Sequence, residues 1–194
     1  MRTTLRSLCI LRILCRADGP VEESFIQSGL FLLQEAMGET LDCNFYLDMQ
    51  GPRSREVLET LITLEREGKV AIGGSPRGLL VEATEKGKQF IHQGGDWGVF
   101  FDVPPVRVPE AQIDAVLSLR EKEAPLEMAA LGTALFLALS AASPGNILEE
   151  LDKAKSEGRL AADLDDRSVV EGFRRLRRYG LGPARKGERT KPRR

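Results

Sequence analysis

The segment from residue 45 to residue 87 constrains the fold of this chain more than any other, because it carries an ordered series of local structural signals. It begins with the aromatic pair Phe45-Tyr46, passes through Gly51-Pro52, and then repeats apolar residues with the 3.6-residue period of an amphipathic helix. Two β-prone runs follow at residues 69–72 and 79–83. This order predicts a strand, a helix, a β-hairpin and the start of another helix.

The residues at the ends of these elements predict their bounds. Proline has a preset φ and lacks only an amide hydrogen that the first helical turn does not use, so Gly51-Pro52 predicts a helix start, with the helix running from about residue 54 to 67. Glycines at positions 73, 74 and 78 permit the positive φ of a tight turn. Thr84 is the predicted cap of the next helix.

Helical patterns also lie on both sides of this segment. Residues 2–16 and 22–37 carry apolar side chains at helical spacing, and three helices followed by a hairpin are typical of a winged helix. Four further helices are predicted downstream, with Asn146 and Ser168 as caps of the last two. We therefore predict a mainly α fold in which a winged-helix-like half, with its small β-hairpin, packs against a C-terminal helical bundle.

Composition shifts divide the chain into four predicted regions. The connector contains Trp97, Phe100 and Phe101, which makes it too apolar for a free linker, so we expect it to pack against the body. Glycine, proline and charge predict disorder after Pro183. The predicted regions are a winged-helix-like domain at 1–94, a packed connector at 95–108, a helical bundle at 109–181 and a basic disordered tail at 182–194.

The overall composition is typical of a soluble cytoplasmic protein. Of the 194 residues, 42% are hydrophobic and 29% are charged. The most apolar stretch, residues 126–142, is shorter than the roughly 20 residues that a membrane span requires, so no membrane association is expected. The three cysteines are odd in number and have no framework spacing, which predicts free thiols in a reducing compartment.

Charge is unevenly distributed along the chain. Residues 174–194 carry ten Lys or Arg residues and one acidic residue, whereas the remainder has ten more acidic than basic residues. A basic segment can neutralise nucleic-acid phosphates or bind an acidic protein. In the nucleic-acid alternative, the contacting residues of the tail are Arg174, Arg175, Arg177, Arg178, Arg185, Lys186, Arg189 and Lys191.

Two further helices bear on this alternative. Arg2, Arg6, Arg12 and Arg16 share one arc of the first helix and form a basic seam, which is either a nucleic-acid contact or a solvated stripe. The helix in the position of a recognition helix is acidic, since residues 53–67 contain three arginines and four glutamates. Because phosphates repel such a helix, base readout through it is disfavoured.

No catalytic constellation is evident. His92 is the single histidine and has no cysteine or carboxylate neighbours at metal-ligand spacing. The glycines around position 74 lack the lysine of a phosphate-binding loop. We therefore expect a protein that is not an enzyme and that uses no metal and no cofactor.

A family resemblance rests on three short motifs. Phe31-Leu32-Leu33-Gln34, Phe45-Tyr46 and Gly51-Pro52-Arg53-Ser54, followed by spaced leucines and Glu67-Gly68, resemble the Panacea-domain (SocA-like) antitoxins and the related uncharacterised YwgA-like proteins. Gln50 and Arg53 stand where that pattern has tyrosines, and the basic lead-in to the Leu-Leu-Gln helix is replaced by residues 24–28. The resemblance implies a non-catalytic module that binds another protein, in the antitoxin case by neutralising a toxin or presenting it to a protease.

The hypothesis that follows is a cytoplasmic protein-docking adaptor or antitoxin-like module. Its partner would be another protein, such as a toxin or a protease, and the alternative is a DNA- or RNA-binding regulator. Aromatic and arginine side chains give the largest contact energy per residue, although Phe45 and Tyr46 could equally fill the core. The predicted partner-binding residues are Phe45, Tyr46, Gln50, Arg53 and Arg55.

Overall fold

The computed structural model describes residues 4–17, 19–76, 78–93, 109–122, 125–140, 147–160 and 166–178. Most of these residues are helical, and the strands are short. The elements in chain order are α1 (Leu5–Arg16), β1 (Val21–Glu22), α2 (Glu23–Glu35), β2 (Phe45–Asp48), β3 (Gly51–Ser54), α3 (Arg55–Arg66), β4 (Val70–Ser75), β5 (Gly78–Ala83), α4 (Glu85–His92), α5 (Glu110–Lys122), α6 (Pro125–Ser140), α7 (Ile147–Ser156) and α8 (Asp166–Arg178).

The strands form two small antiparallel sheets. In the first, the order is β1-β5-β4, so that β5 is the central strand and β4 lies at an edge. The second consists of β2 and β3, with Phe45 opposite Ser54 and Tyr46 opposite Arg53. Both sheets are too short to be stable alone, so their stability depends on the helices against which they pack.

The predicted β-hairpin is confirmed, with longer strands than expected. Pairing extends from Val70 opposite Ala83 to Ser75 opposite Gly78, which leaves a two-residue turn. Gly73 and Gly74 therefore lie inside β4 rather than in the turn, and of the three glycines only Gly78 has a positive φ. The two-residue strand β1, which extends this sheet, has too few residues to give an alternating pattern in the sequence.

The predicted helix start at about residue 54 is within one residue of the observed start, but the role given to Gly51-Pro52 as the helix-start signal was wrong. These two residues open β3, where Pro52 lies opposite Leu47 of β2, and the helix begins at Arg55. A proline fits the first residues of a helix and also fits a strand whose N–H is not needed, and here pairing with β2 selects the strand. The segment between α2 and α3 thus contains a second hairpin, β2–β3.

Helix α2 lies at the centre of the molecule and is buried along most of its length. It packs against α1, α5, α6 and β3, and the buried apolar residues of these elements belong to one continuous core. Close approach is possible because of two glycines. A Cβ on Gly29 would lie 3.0 Å from Val116 of α5, and a Cβ on Gly132 of α6 would lie 2.9 Å from Pro52.

The helix ends partly match the sequence predictions. Thr84 caps α4 as predicted, since its hydroxyl accepts from the Gly87 amide at 3.2 Å. Helix α8 begins at Asp166, so Ser168 lies inside its first turn and is not the cap. The predicted cap Asn146, the whole connector at 95–108 and the tail at 182–194 lie outside the described residues.

Candidate docking site

The β2–β3 hairpin has one face toward the protein interior and one toward solvent. Side chains alternate along a strand, so Phe45 and Leu47 share the inner face whereas Tyr46 lies on the outer face opposite Arg53. The inner face is packed, since Leu47 is buried and the Phe45 ring contacts the Phe31 ring edge-on, with centroids 5.1 Å apart. Of the predicted aromatic pair, Phe45 therefore packs on α2 and Tyr46 is exposed.

Two glutamines of α2 fix the backbone at the base of this hairpin, one where the chain enters it and one where the chain leaves it. Gln34 accepts from the Cys43 amide at 3.0 Å and donates to the Cys43 carbonyl at 2.9 Å, just before β2. Gln27 makes the same pair of bonds with Ser54 at the end of β3. The two glutamines are seven residues apart and so lie on one face of the helix, with Phe31 between them. The three sequence motifs behind the family resemblance thus meet in space around this hairpin.

A buried carboxylate adds a charged anchor. Glu23 of α2 is 4% exposed, and its side chain accepts from Arg53 at 2.6 Å and from Gln27 at 2.8 Å. Arg53 also lies 3.8 Å from Asp48 across the hairpin. Arg53, predicted as a partner-binding residue, is therefore engaged with Glu23 and Asp48, although a quarter of its side chain remains accessible.

Glu56 connects the base of the hairpin to the start of α3. The Ser54 hydroxyl donates to its carboxylate at 2.5 Å, and the Asn44 side chain donates at 2.9 Å. These hydrogen bonds, led by the one from Ser54, lower the pKa of Glu56 from 4.5 to about 2. The ionised carboxylate thus holds the first residues of α3 beside the residue that precedes β2.

The hairpin exposes two large side chains that are three residues apart in the sequence, one on its outer face and one in its turn. Tyr46 is 53% exposed, and Met49, in the two-residue turn between the strands, is 62% exposed. Gln50 and Arg55 are exposed beside them. We call Tyr46, Met49, Gln50, Arg53 and Arg55 the hairpin surface. Met49 was missed by sequence reasoning, although an apolar residue in a short polar turn is a detectable signal.

The described arginines of the basic seam on α1 bind other residues of the same chain. Arg6 donates to the carbonyls of Leu41 and Asp42 at 3.2 and 2.9 Å, and to the Thr60 hydroxyl at 2.9 Å. Arg12 and Arg16 pair with Glu110 of α5. Arg6, Arg12 and Arg16 therefore bind α1 to neighbouring elements. Arg2 lies outside the described residues.

Half of the predicted nucleic-acid-binding residues fall within the described residues, all of them on α8. Arg174 is exposed on α8, where it lies 3.4 Å from Glu171. Arg175, Arg177 and Arg178 belong to the same helix. Arg185, Lys186, Arg189 and Lys191 lie outside the described residues.

A cleft of about 210 Å³ lies between α1, α3 and α4. Four ionisable side chains line it, and each has a partner already: Lys69 pairs with Glu67 at 2.7 Å and lies over the Phe90 ring, Glu59 pairs with Arg55, and Arg6 holds the carbonyls given above. A catalytic acid or base needs a group poised near a reacting atom. Of these contacts, those of Arg6 and that of Lys69 with Phe90 join different elements, whereas the Glu59 pair lies within α3.

The remaining candidate reactive groups are His92 and the three cysteines. His92 is exposed at the end of α4, and no three His, Cys, Asp or Glu side chains within the described ranges are grouped so as to hold a metal ion. All three cysteines are free. Burial raises the pKa of Cys9 to about 12 and also raises the pKa of Cys15 and of Cys43.

Comparison with known proteins gives no match: no protein-family model fits the chain, and no curated protein is significantly similar to it. Within the part of the chain that the structure describes, no helix has both the length and the apolar character needed to cross a membrane.

Proposed function

We propose that this protein is a non-catalytic adaptor that binds another protein through the hairpin surface. The observation that carries the proposal is the contrast between the two faces of β2–β3. Four hydrogen bonds to the backbone of Cys43 and Ser54 fix the segment to α2, and an aromatic contact packs its inner face there. The outer face presents Tyr46 to solvent and the turn presents Met49, with Gln50 and Arg55 also exposed.

This arrangement has the physical features of a binding patch. Interfaces are enriched in tyrosine, methionine and arginine, and their most important contacts are apolar side chains surrounded by a polar rim. Binding costs less entropy when the contacting segment is already ordered, and the glutamine bonds hold this hairpin in place before a partner arrives. Exposure of a single large side chain is ordinary, but two on one rigid hairpin are a candidate site.

We also propose that residues 4–93 form a winged helix. The order of helix, strand, helix, helix, strand, strand and the sheet order β1-β5-β4 support it. The β2–β3 hairpin is then an insertion between the second and third helices. Because α3 is acidic overall and the insertion lies beside its first turn, protein docking suits this winged helix better than base readout. The Panacea-like resemblance supports the same class of function, with a toxin or protease as partner.

Exposed large side chains inside and outside the hairpin surface permit a controlled test in the native cell. We expect the doubly substituted Tyr46→Ser, Met49→Ser chain to lose its native partner in affinity purification, while its thermal midpoint stays close to that of the wild type. Leu148→Ser is the matched control, because Leu148 is 50% exposed on α7, outside the hairpin surface. Retention of the same partner by the double variant would overturn the proposal.

The alternative of a nucleic-acid regulator makes a separate prediction. If the basic residues from Arg174 onward bind phosphates, the full chain should shift a duplex in a gel, and a chain ending at Gly182 should bind it more weakly. Binding should also fall steeply with salt, by a slope of about 0.9 per phosphate contact on duplex DNA. An adaptor should show little binding in either form at physiological salt.

A further inference from the structure

Strand β4 lies at the edge of its sheet, and no strand in the described part of the chain pairs with its second side. The sheet order β1-β5-β4 places β5 on one side of it. Edge strands are usually protected by charge, proline or a bulge, because unpaired backbone groups recruit other strands. The six residues of β4, Val-Ala-Ile-Gly-Gly-Ser, contain neither charge nor proline, and their register with β5 has no bulge.

The register identifies which backbone groups face the open side. Hydrogen-bonded and non-hydrogen-bonded pairs alternate along an antiparallel ladder. The Thr84 amide donates to the Lys69 carbonyl at 3.1 Å, in the same register as β4–β5, so the odd-numbered residues of β4 point toward β5. The amide and carbonyl groups of the even-numbered residues Val70, Ile72 and Gly74 therefore point to the open edge.

We propose that this edge binds the β4 edge of a second copy of the chain, antiparallel and around a two-fold axis, so that the two sheets become one six-stranded sheet. A two-fold axis perpendicular to the sheet keeps both core faces on the same side, so residues of equal parity stand opposite one another. Only the register that places Ile72 opposite Ile72 of the second copy, and Gly74 opposite Val70, uses all the outward groups. It forms about six backbone hydrogen bonds.

Charge and side-chain size favour a second copy as the occupant. Near the two-fold axis each residue lies close to its own copy, so a charge there would repel its counterpart, and β4 carries no charge. In the proposed register Ala71 and Gly73 of the two copies are opposite each other at the non-hydrogen-bonded positions, where strands approach most closely. Specific binding of a foreign peptide requires side-chain contacts, and the small side chains of β4 offer few. Pairing with a second copy requires only backbone hydrogen bonds.

The glycines of β4 are consistent with this use. Gly73 and Gly74 do not have positive φ, and a Cβ on either would meet no atom within 4 Å, so neither the turn nor the packing of one chain requires glycine. Glycine inside a strand weakens it and often marks a close approach of another backbone. A single six-residue edge is a small interface, so we expect a weak dimer, with a dissociation constant on the order of 100 µM.

The test is sedimentation equilibrium of the full chain from about 10 µM to about 1 mM, which spans the expected dissociation constant. The wild-type mass should rise from 21.4 kDa toward twice that value. Gly74→Pro removes one outward amide and leaves the β5 ladder intact, so it should weaken association about tenfold or more. Gly74→Ala keeps that amide and is the matched control, with association within about threefold of the wild type.

A charge pair tests the register with residues whose substitution does not disturb the core. Ala71 is exposed and Gly73 has open space around it. The doubly substituted Ala71→Lys, Gly73→Glu chain should associate more tightly than the wild type, because each lysine faces a glutamate of the second copy. The Ala71→Lys, Gly73→Lys chain should stay monomeric. Three results would each overturn the proposal. The first is a wild-type chain that stays monomeric at the highest concentration, and the second is association that Gly74→Pro leaves unchanged. The third is slow amide exchange at Ile72 and Gly74 in the monomer.

Discussion

Gln27 and Ser54 form a two-bond pair in which a side-chain amide replaces a neighbouring strand. The Ser54 amide donates to the Gln27 oxygen at 2.9 Å, and the Gln27 nitrogen donates to the Ser54 carbonyl at 3.2 Å. Both residues are buried, so neither bond can be replaced by water. The pair fixes the end of β3, and with it the position of the hairpin surface above α2.

We predict that Gln27→Leu destabilises the protein more than Gln34→Leu. The first substitution leaves the buried Ser54 amide and one Glu23 oxygen without their partner and should lower the free energy of unfolding by about 2 to 4 kcal/mol. Gln34 is half-buried, so its bonds to Cys43 are only partly shielded from solvent and the loss should be smaller, about 1 kcal/mol. Urea unfolding measures both values. Equal losses would contradict the role given to the buried pair.

A second prediction concerns Gly87, in the first turn of α4. Replacing a helical glycine by alanine usually stabilises a helix by up to about 1 kcal/mol. Here a Cβ would collide with the Lys69 backbone carbonyl oxygen, so Gly87→Ala should instead destabilise the protein by about 2 kcal/mol or more. Thermal unfolding measures the effect, with Gly74→Ala as a control at a glycine that has open space. A stabilised Gly87→Ala chain would show that α4 does not pack on Lys69 in this way.

The pKa of Glu56 leads to a prediction about acid stability. The pKa is 4.5 in the reference state and about 2 in the folded protein, so the folded state binds fewer protons between these values. The contribution is complete above about pH 4.5 and is lost as the pH falls toward 2. The stability difference between the wild type and Glu56→Gln should therefore be constant near neutral pH and should shrink below about pH 4.5. A difference independent of pH down to 2 would contradict the low pKa.

The three thiols should differ in reactivity. Cys9 is completely buried and Cys43 nearly so, whereas Cys15 is half-buried. Since the thiolate is the reactive form and burial raises the pKa of each thiol, alkylation should be slow throughout, with Cys15 modified first. Cys9 and Cys43 should react only after unfolding in urea. Peptide mass spectrometry after timed alkylation distinguishes the sites, and equal labelling of Cys9 and Cys15 in the native protein would be the contrary result.

Local signals predicted the elements that are stabilised by residues near in sequence. The β4–β5 hairpin needs only a two-residue turn, and the Thr84 cap bonds to an amide three residues away. The helix at residues 55–66 has a regular apolar face and was predicted within one residue at each end. In each case, the stabilising contact lies within the span that a sequence pattern covers.

Long-range contacts decided the elements that sequence reasoning missed. Pro52 belongs to a strand because it pairs with Leu47 and packs on Gly132, 80 residues away. Arg12 and Arg16 formed a seam by spacing alone, but their partner Glu110 comes from a distant helix. Of the predicted docking residues, Tyr46 is exposed as the hypothesis requires, while Phe45 packs on Phe31. The alternation of side chains along residues 45–48 places Phe45 and Tyr46 on opposite faces of the strand. Which of the two faces the interior could be assigned only from the structure.

Photo-crosslinking from the hairpin surface in the native cell tests the docking proposal most directly. A photoreactive phenylalanine analogue at position 46 replaces an exposed tyrosine of similar shape, and the same analogue at position 148 is the control. We predict one dominant protein adduct from position 46, lost when Met49→Ser is added, and no such adduct from position 148. Equal yields of the same adduct from both positions would contradict the account. The absence of an adduct from position 46, while the chain copurifies with its partner, would contradict it as well.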